Sequence, residues 1–274
     1  MPTALVTGTS SGFGLATAER LAGLGWTVTG AQRDPSATPP EAPFRTLAMD
    51  LRDPDSIRRV AAEIEAVGAS LDALVSNAGF GMLGPLEEIT SEELRDQLEV
   101  NLVGTLALCC ACLPALRRAR GVIVQVSSVS GQEGSPGFGA YSASKFALEG
   151  ASEALAAEVE DQGVRVVIVE PGPFRTPIAV KSPAARGRDS AGHYGAVWTE
   201  IDEFLAFITE EAEDAQIAVD AIVAAVAVPG APLRIPVGAE SGDWVREHAE
   251  GVIADVERAA AFLEANRGLG RPQG

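Results

Sequence analysis

The chain is poor in histidine, cysteine and basic residues, and each shortage argues against a class of function. It has two histidines and three cysteines, with 21 Lys and Arg against 38 Asp and Glu, a formal net charge of −17. A chain this acidic lacks the basic surface that binds phosphate backbones. We therefore expect no nucleic-acid partner. His193 and His248 lie far from each other and from the cysteines, so we expect no metal site.

The cysteines Cys109, Cys110 and Cys112 fall in one apolar helical run. They could form a metal or redox cluster, but there is no second cysteine pair and no histidine near them in sequence. We interpret them instead as small apolar residues of a buried helix. An odd count without a disulfide framework favours a reducing compartment, and we expect a cytoplasmic location.

Long apolar runs are also missing. No stretch of eighteen or more apolar residues occurs, and Met1, Pro2 and Thr3 do not form a basic region before an apolar segment. We therefore expect neither a membrane span nor a signal peptide. The 274 residues, 46% of them hydrophobic, suffice for one large α/β domain. Without an internal repeat or a linker, residues 1–274 are predicted to form a single domain.

A glycine-rich turn follows the first predicted strand. Residues 3–7 are apolar and β-branched, and Gly8, Gly12 and Gly14 come directly after them, before a helical pattern begins. In a strand–turn–helix unit, such glycines allow the backbone and the helix N-terminus to approach a pyrophosphate. A plain turn with flexible residues is the alternative, and the three glycines make it the weaker one.

Strands and helices then alternate along the chain. Strands are predicted at residues 25–31, 45–49, 71–75, 121–126 and 164–169, with an edge strand at 233–237. This alternation predicts an α/β fold with a doubly wound parallel sheet of the Rossmann type, whose ligand lies at the carboxyl ends of the strands. Several residues fall at or just beyond these ends: Gly8, Gln32, Asp50, Asn77, Ser128 and Pro171.

A long helix is predicted from Ser91, which we take as its capping residue, to about Arg118. Asn101 lies near its middle, and Pro114 should disturb it close to its end. Two helices are predicted within residues 200–227, and a final acidic helix at about 243–266.

Tyr141 and Lys145 are four residues apart at the start of a helical pattern, so they share one face. An ammonium beside a phenol should lower the tyrosine pKa from about 10 and prepare it for proton transfer near neutral pH. The alternative is an ordinary helix start with a half-buried tyrosine and a solvated lysine.

Taken together, the motifs resemble the classical short-chain dehydrogenase/reductase family over residues 3–238. They are Thr7-Gly8-x-x-x-Gly12-x-Gly14, Asn77-Ala78-Gly79, the spacing of Ser128, Tyr141 and Lys145, Asn101 in its helix, and Pro171-Gly172 with Thr176. Ser76 and Phe13 are small departures that touch no catalytic group. The segment of about 180–213 matches no motif. In this family that segment lines the substrate pocket, so we expect a small, mobile helical lid there.

The resemblance implies four catalytic residues. Tyr141 would be the general acid/base, Lys145 would lower its pKa and hold the nicotinamide ribose, Ser128 would bond the substrate oxygen, and Asn101 would anchor a proton-relaying water. The cofactor-binding residues that it implies are Gly8, Ser10, Ser11, Gly12, Phe13, Gly14, Arg33, Asp50, Leu51, Asn77, Ala78, Gly79, Tyr141, Lys145, Pro171, Gly172 and Thr176.

The choice between NADP(H) and NAD(H) depends on the end of the second strand. NAD-using relatives carry a carboxylate there for the ribose hydroxyls, and Gln32 occupies that position here. Arg33 follows, and a guanidinium can grip a 2′-phosphate. Asp34 comes one residue too late in this register. We therefore expect NADP(H) to be preferred, with NAD(H) possible.

The expected function is hydride transfer between a nicotinamide cofactor and a small-molecule carbonyl compound or secondary alcohol. One alternative is a catalytically inactive dinucleotide-binding sensor or regulator of the same fold. Another is a non-redox enzyme of that fold, such as an epimerase or a lyase. The helices from Ser91 and Tyr141 carry more apolar residues than one buried face needs, and related enzymes associate through them, so we expect a homodimer or homotetramer.

Overall fold

Seven parallel strands form one sheet in the computed structural model, which describes residues 1–66, 70–177 and 182–267. The strands are β1 Thr3–Thr7, β2 Thr27–Gln32, β3 Arg45–Ala48, β4 Ala73–Ser76, β5 Val122–Val126, β6 Arg165–Pro171 and β7 Arg234–Val237. Their order is β3-β2-β1-β4-β5-β6-β7. The order therefore reverses between β1 and β4, which opens a crevice at their carboxyl ends. Every predicted strand is confirmed, with ends shifted by two residues at most.

Helices cover both faces of this sheet. They are α1 Gly12–Gly23, α2 Pro54–Ala66, α3 Ser91–Leu98, α4 Thr105–Ala119, α5 Gly139–Val159, α6 Gly195–Glu210, α7 Ala215–Ala227 and α8 Ser241–Ala265. On one face α2, α4 and α5 enclose a core with Ile57, Leu108 and Leu155, and on the other α1 and α7 enclose one with Leu21 and Ile222. The doubly wound Rossmann-type fold in a single domain is confirmed.

The long helix predicted from Ser91 to about Arg118 is confirmed as one helical stretch, Ser91–Ala119, but it is not α-helical throughout. A π-helical segment, Glu99–Gly104, separates α3 from α4, and Asn101 lies within it. Gly104, at the end of this segment, lies against the neighbouring chain, because a Cβ there would come within 2.1 Å of the Leu51 carbonyl oxygen. Single-turn π segments inside α-helices are frequent at functional sites. Asn101 therefore lies near the middle of the helical stretch, as predicted, and the π segment around it was not predicted.

The start of α3 also differs from the prediction. Thr90, not Ser91, is the N-cap: its hydroxyl accepts a hydrogen bond from Glu93 N at 3.2 Å, and Glu93 Oε2 accepts one from Thr90 N at 2.9 Å. This capping box needs a glutamate three residues after the cap, which Thr90 has and Ser91 lacks.

Pro114 lies inside α4, which continues to Ala119, so the proline does not end the helix. The carbonyl that loses its helical donor belongs to Cys110, and that residue is exposed.

The continuous helical stretch Ser91–Ala119 is long and apolar enough to cross a membrane by length and composition alone. The stretch contains polar and charged residues, so the absence of a run of eighteen apolar residues still holds. Half of its most apolar window is buried inside the fold, where α4 packs against α2 and β4. A buried core helix gives the same result, so this finding assigns no membrane location.

The segment predicted as a lid, about 180–213, is partly described. Val180 and Lys181 lie outside the described residues, and α6 begins at Gly195, earlier than the predicted 200. Trp198 anchors α6: it is 1% exposed, and its indole nitrogen donates to Glu88 Oε2 at 2.7 Å. Arg188 lies 4.5 Å above its ring.

Candidate active site

A cavity of about 1050 Å³ lies at the carboxyl ends of the strands. The predicted residues in its wall are Gly8, Ser10, Ser11, Gly12, Phe13, Arg33, Asp50, Leu51, Asn77, Ala78, Gly79, Ser128, Tyr141, Lys145, Pro171, Gly172 and Thr176. The structure thus brings together almost the whole predicted set. Gly14 and Asn101 are the two predicted site residues outside that wall.

The glycine turn is shaped by close backbone approach. Gly8 has a φ of +74°, and a Cβ there would come within 2.8 Å of Asn77 Nδ2. Gly14 faces the turn from inside α1, where a Cβ would lie 2.4 Å from Gly8 O. Gly14 therefore serves the contact between α1 and the turn, which explains why it does not line the cavity.

The ends of β1 and β4 are tied together beneath the cavity. Thr7 Oγ1 accepts hydrogen bonds from the backbone N–H groups of Asn77 and Ala78, both at 2.9 Å. Asn77 Nδ2 donates to Thr7 O at 2.9 Å. These bonds fix Asn77-Ala78-Gly79 beside the glycine turn.

Ser128, Tyr141 and Lys145 meet in one wall. Ser128 caps a short 3-10 turn, Val129–Gly131, and its hydroxyl donates to Pro171 O at 3.4 Å. Tyr141 and Lys145 lie in the first turns of α5. Lys145 is 6% exposed, its Nζ donates to Val126 O at 2.9 Å, and it lies 5.7 Å from the centroid of the Tyr141 ring.

Burial governs the titration of this group. It raises the pKa of Tyr141 to about 12, against a hydrogen bond with Ser128 that lowers it. It lowers the pKa of Lys145 to about 8, and the Glu149 carboxylate opposes this. The expectation of a lowered tyrosine pKa is therefore wrong for this structure, because the cost of burying a phenolate dominates.

Asn101 is 2% exposed and is not part of the cavity wall. Its amide bonds the backbone of Phe80, and its Nδ2 also donates to Ser144 Oγ at 3.1 Å. In this structure Asn101 is a positioning residue, and its role as a water anchor remains a prediction.

At the end of β2 the neutral and basic side chains lie as predicted. Gln32 is buried, accepts a hydrogen bond from Thr9 Oγ1 at 2.8 Å and donates to Asp34 O at 2.7 Å. The Asp34 carboxylate turns to Ser36 N, at 2.9 Å, and is not part of the cavity wall. Arg33 is exposed and lines the cavity.

Sequence reasoning missed an ion pair beside Arg33. Arg52 donates to Asp96 through Nε at 2.5 Å and through Nη2 at 2.8 Å, and it lies 5.6 Å from the centroid of the Phe80 ring. Its guanidinium lowers the pKa of the Asp96 carboxyl. The partners are 44 residues apart, and no local pattern predicts their contact.

The other side of the cavity is largely apolar and was not predicted residue by residue. Phe138 meets Phe204 of α6 edge to face, with 4.9 Å between ring centroids. Further apolar lining comes from Leu83, Leu205, Ile208 and Trp244. Glu247 and His248 of α8 reach the same cavity. For Phe204, Leu205 and Ile208 the signal in the sequence was the aperiodic stretch in front of two predicted helices.

No group of three or more His, Cys, Asp or Glu side chains in the described part of the chain is arranged to hold a metal ion.

Comparison with known proteins agrees with this geometry. Residues 2–187 match the family model described as short chain dehydrogenase. The chain belongs to the short-chain dehydrogenase/reductase family. The Bacteroides thetaiotaomicron 3-ketodihydrosphingosine reductase, a family relative, is 43% identical over 173 residues, 63% of this chain and 64% of that protein. The match thus spans just under two thirds of that relative's length.

Another relative, the NADPH-dependent 3-dehydrocapnine reductase of Ornithobacterium rhinotracheale, is 34% identical over 212 residues, 73% of this chain and 75% of that protein. Among solved structures, a short-chain dehydrogenase from Streptomyces avermitilis has a TM-score of 0.86 at 35% identity, covering 97% of this chain and 98% of its own. One from Burkholderia cenocepacia, in complex with NADP, has a TM-score of 0.74 at 27% identity, covering 96% and 97%. Two of these proteins are described with a nicotinamide dinucleotide: the Ornithobacterium reductase is named NADPH-dependent, and the Burkholderia structure holds NADP.

Proposed function

We propose that this oxidoreductase transfers hydride between NADP(H) and an apolar carbonyl compound or the corresponding secondary alcohol, with Tyr141 as general acid/base. The observation that carries the proposal is the meeting of Ser128, Tyr141 and Lys145 in one wall of the cavity that the glycine turn begins. A dinucleotide binder without chemistry does not need all three side chains there.

The residues present fit a dinucleotide. The turn at Gly8 brings backbone N–H groups and the start of α1 to the cavity, which suits a pyrophosphate. Asp50 and Leu51 would hold the adenine, and Pro171, Gly172 and Thr176 the nicotinamide. The nicotinamide, when bound, supplies or accepts the hydride.

The chain's own residues handle the proton. In reduction, Tyr141 gives its phenolic proton to the carbonyl oxygen as that oxygen gains charge. Ser128 donates a hydrogen bond to the same oxygen and stabilises the developing alkoxide. Lys145 is held by Val126 O, with its ammonium close enough to Tyr141 to stabilise the phenolate that remains. In oxidation each of these steps runs in reverse.

The strand end after β2 supports a preference for NADP(H). Arg33 faces the cavity, whereas Gln32 is neutral and Asp34 is engaged with Ser36. A 2′-phosphate would thus meet a guanidinium and no carboxylate from this strand end. The Burkholderia neighbour in complex with NADP and the relative named as NADPH-dependent are consistent with the same preference.

The substrate side supports an apolar carbonyl compound. Phe138, Phe204, Leu205 and Ile208 offer aromatic and aliphatic surface, which favours apolar ligands. Both curated relatives described above are named as reductases of a 3-keto or 3-dehydro compound, so a ketone is the group we expect beside Tyr141.

The test is a panel of apolar ketones and secondary alcohols assayed by nicotinamide absorbance with each cofactor. We expect turnover, and Tyr141→Phe should lower kcat by about 10²–10⁴-fold while cofactor binding persists. Tight NADPH binding by the wild type without turnover of any compound would favour the sensor alternative. Wild-type rates in Tyr141→Phe would refute the assigned acid/base.

We also propose a homodimer or homotetramer that acts in the cytoplasm. Val103 and Phe146, 49% and 44% exposed, lie on the neighbouring π segment and α5 and offer an apolar surface to a second copy. Light scattering tests the assembly, and a monomer at micromolar concentration would contradict it.

A further inference from the structure

Ser128, Tyr141 and Lys145 form what we call the catalytic wall. Two buried carboxyl groups lie directly behind it and have no part in the reaction described above. Glu149 of α5 is 2% exposed, and Glu170, near the end of β6, is fully buried. Buried carboxyl groups are costly unless they are bonded or paired, so the partners of these two decide what they do.

Three polar residues hold the pair. Glu149 Oε1 accepts a hydrogen bond from Ser127 Oγ at 2.7 Å, and its Oε2 accepts one from Arg234 Nε at 3.3 Å. Glu170 Oε1 accepts from Gln132 Nε2 at 3.0 Å and lies 3.5 Å from Arg234 Nε. Gln132 donates to Glu149 as well. The pair therefore ties α5, the end of β5, β6 and β7 together.

The charges in this cluster do not balance if both carboxyl groups are ionised. Arg234 on β7 is the cation in contact with them, and it also pairs with the exposed Glu153 at 2.8 Å. Burial, followed by the neighbouring Glu149, raises the pKa of Glu170 to about 8. Two buried carboxyl groups in contact repel each other when both are ionised. At neutral pH the pair therefore holds one proton.

The cluster reaches the catalytic wall by two routes. Glu149 follows Lys145 by one helical turn on the same buried face of α5, and its charge favours the ammonium. Ser127, which Glu149 binds, stands between Val126, the acceptor of Lys145 Nζ, and Ser128. Glu170 immediately precedes Pro171-Gly172 in the cavity wall.

We propose that Glu149 and Glu170 are positioning residues that share one proton, and that the single negative charge left on the pair keeps the buried Lys145 charged. The second half of this proposal rests on the proposed function, because it concerns Lys145 during turnover. The titratable and charged groups around the pair are Lys145 and Glu153 on α5 and Arg234 on β7.

The shared proton is tested without any substrate, by thermal unfolding of wild type and Glu170→Gln across pH. The folded pKa of Glu170 is raised above its unfolded value, so its proton stabilises the fold fully at low pH and progressively less as pH rises towards about 8. Glutamine mimics the protonated acid at every pH. The melting temperature of Glu170→Gln minus that of wild type should therefore rise from about pH 5 to about pH 8 and then level off.

Glu153→Gln is the matched control, because Glu153 lies one turn further along α5, binds the same Arg234 and is exposed. The melting temperature of Glu153→Gln minus that of wild type should not rise from about pH 5 to about pH 8. Below about pH 8 the pair carries one negative charge in wild type and in Glu170→Gln, so Lys145 contributes equally to the two melting temperatures there. Parallel melting curves for wild type and Glu170→Gln would overturn the shared proton.

The effect on Lys145 is read from the pH dependence of kcat/KM for reduction. Without the Glu149 charge the pKa of Lys145 should fall, so in Glu149→Gln the alkaline loss of kcat/KM should begin at lower pH by about half a unit or more. Glu153→Gln should leave it in place. An unchanged alkaline limb in folded Glu149→Gln would overturn this half. If the wild type reduces no ketone, the proposed function fails, and the unfolding comparison still decides the shared proton.

Discussion

Asn101 holds both polar ends of the Phe80 backbone with one side-chain amide. Its Oδ1 accepts a hydrogen bond from Phe80 N at 3.1 Å, and its Nδ2 donates to Phe80 O at 2.9 Å. Phe80 directly follows Gly79 in the cavity wall, and a Cβ at Gly79 would lie 3.0 Å from Asn101 Oδ1. The amide therefore fixes the segment that leaves β4 along the cavity wall.

Asn101→Ala should destabilise the fold and weaken cofactor binding together. It leaves a part-buried N–H group and loses a bond to a carbonyl oxygen, at a cost of about 1–3 kcal/mol. Thermal unfolding and the Michaelis constant for NADPH measure the two effects. Gln216→Ala, which removes an exposed side-chain amide on α7, should change neither. A lower kcat with an unchanged melting temperature and Michaelis constant would mean that Asn101 serves the proton relay alone.

Arg33→Ala should raise the Michaelis constant for NADPH by about tenfold to a hundredfold and leave that for NADH nearly unchanged. A hydrogen bond to a charged group is worth about 1.5–3 kcal/mol, and Arg33 is the side chain after β2 that offers one at the cavity. Steady-state kinetics with both cofactors measure this. Arg58→Ala, on the exposed side of α2, is the matched control. A wild-type enzyme that prefers NADH would show that another group reads the ribose.

Gly14→Ala should destabilise the protein by about 1–3 kcal/mol, because the added methyl group meets the Gly8 carbonyl oxygen at 2.4 Å and one of the two must move. Gly23→Ala on the same helix has open space around it, so its stability should be unchanged or raised by up to about 1 kcal/mol. Denaturant unfolding compares the two. Equal effects would argue against the close contact between α1 and the glycine turn.

Phe204→Ala should raise the Michaelis constant for apolar ketones while that for NADPH stays constant. The ring lines the cavity against Phe138, and its loss removes apolar contact worth about 1–2 kcal/mol, or about five- to thirtyfold in binding. Phe207→Ala, 40% exposed on the same helix and outside the cavity wall, is its control. If the Michaelis constant of Phe204→Ala rose for NADPH alone, the substrate would not bind against this ring.

Much of the fold could be predicted because its information is local. Buried strands are short apolar runs, and the turns after them carry glycine, asparagine or serine, so the sheet and the cofactor side followed from pattern and resemblance. The Thr90 cap was also readable, since Thr90 stands three residues before Glu93. A regular helix and a π segment share the same apolar residues, so the π segment around Asn101 could not be read from the sequence.

Contacts between distant residues escaped the sequence for a different reason. Arg52 with Asp96 and Glu149 with Glu170 are brought together by the order of the strands and helices, not by spacing along the chain. The prediction of a lowered pKa for Tyr141 was wrong, because burial outweighs the charge of Lys145 four residues away. No local sequence pattern reports burial.

The attachment of α6 bears on how such an enzyme can acquire new substrates. Trp198 and Tyr194 dock onto Glu88 and Glu87, with Trp198 Nε1 2.7 Å from Glu88 and the Tyr194 hydroxyl 2.6 Å from Glu87. The helix that carries Phe204 is thus secured outside the sheet, by contacts that spare the glycine turn. A chimera could receive this helix from another family member and keep its cofactor site, provided that the grafted segment brings residues able to grip that acidic turn.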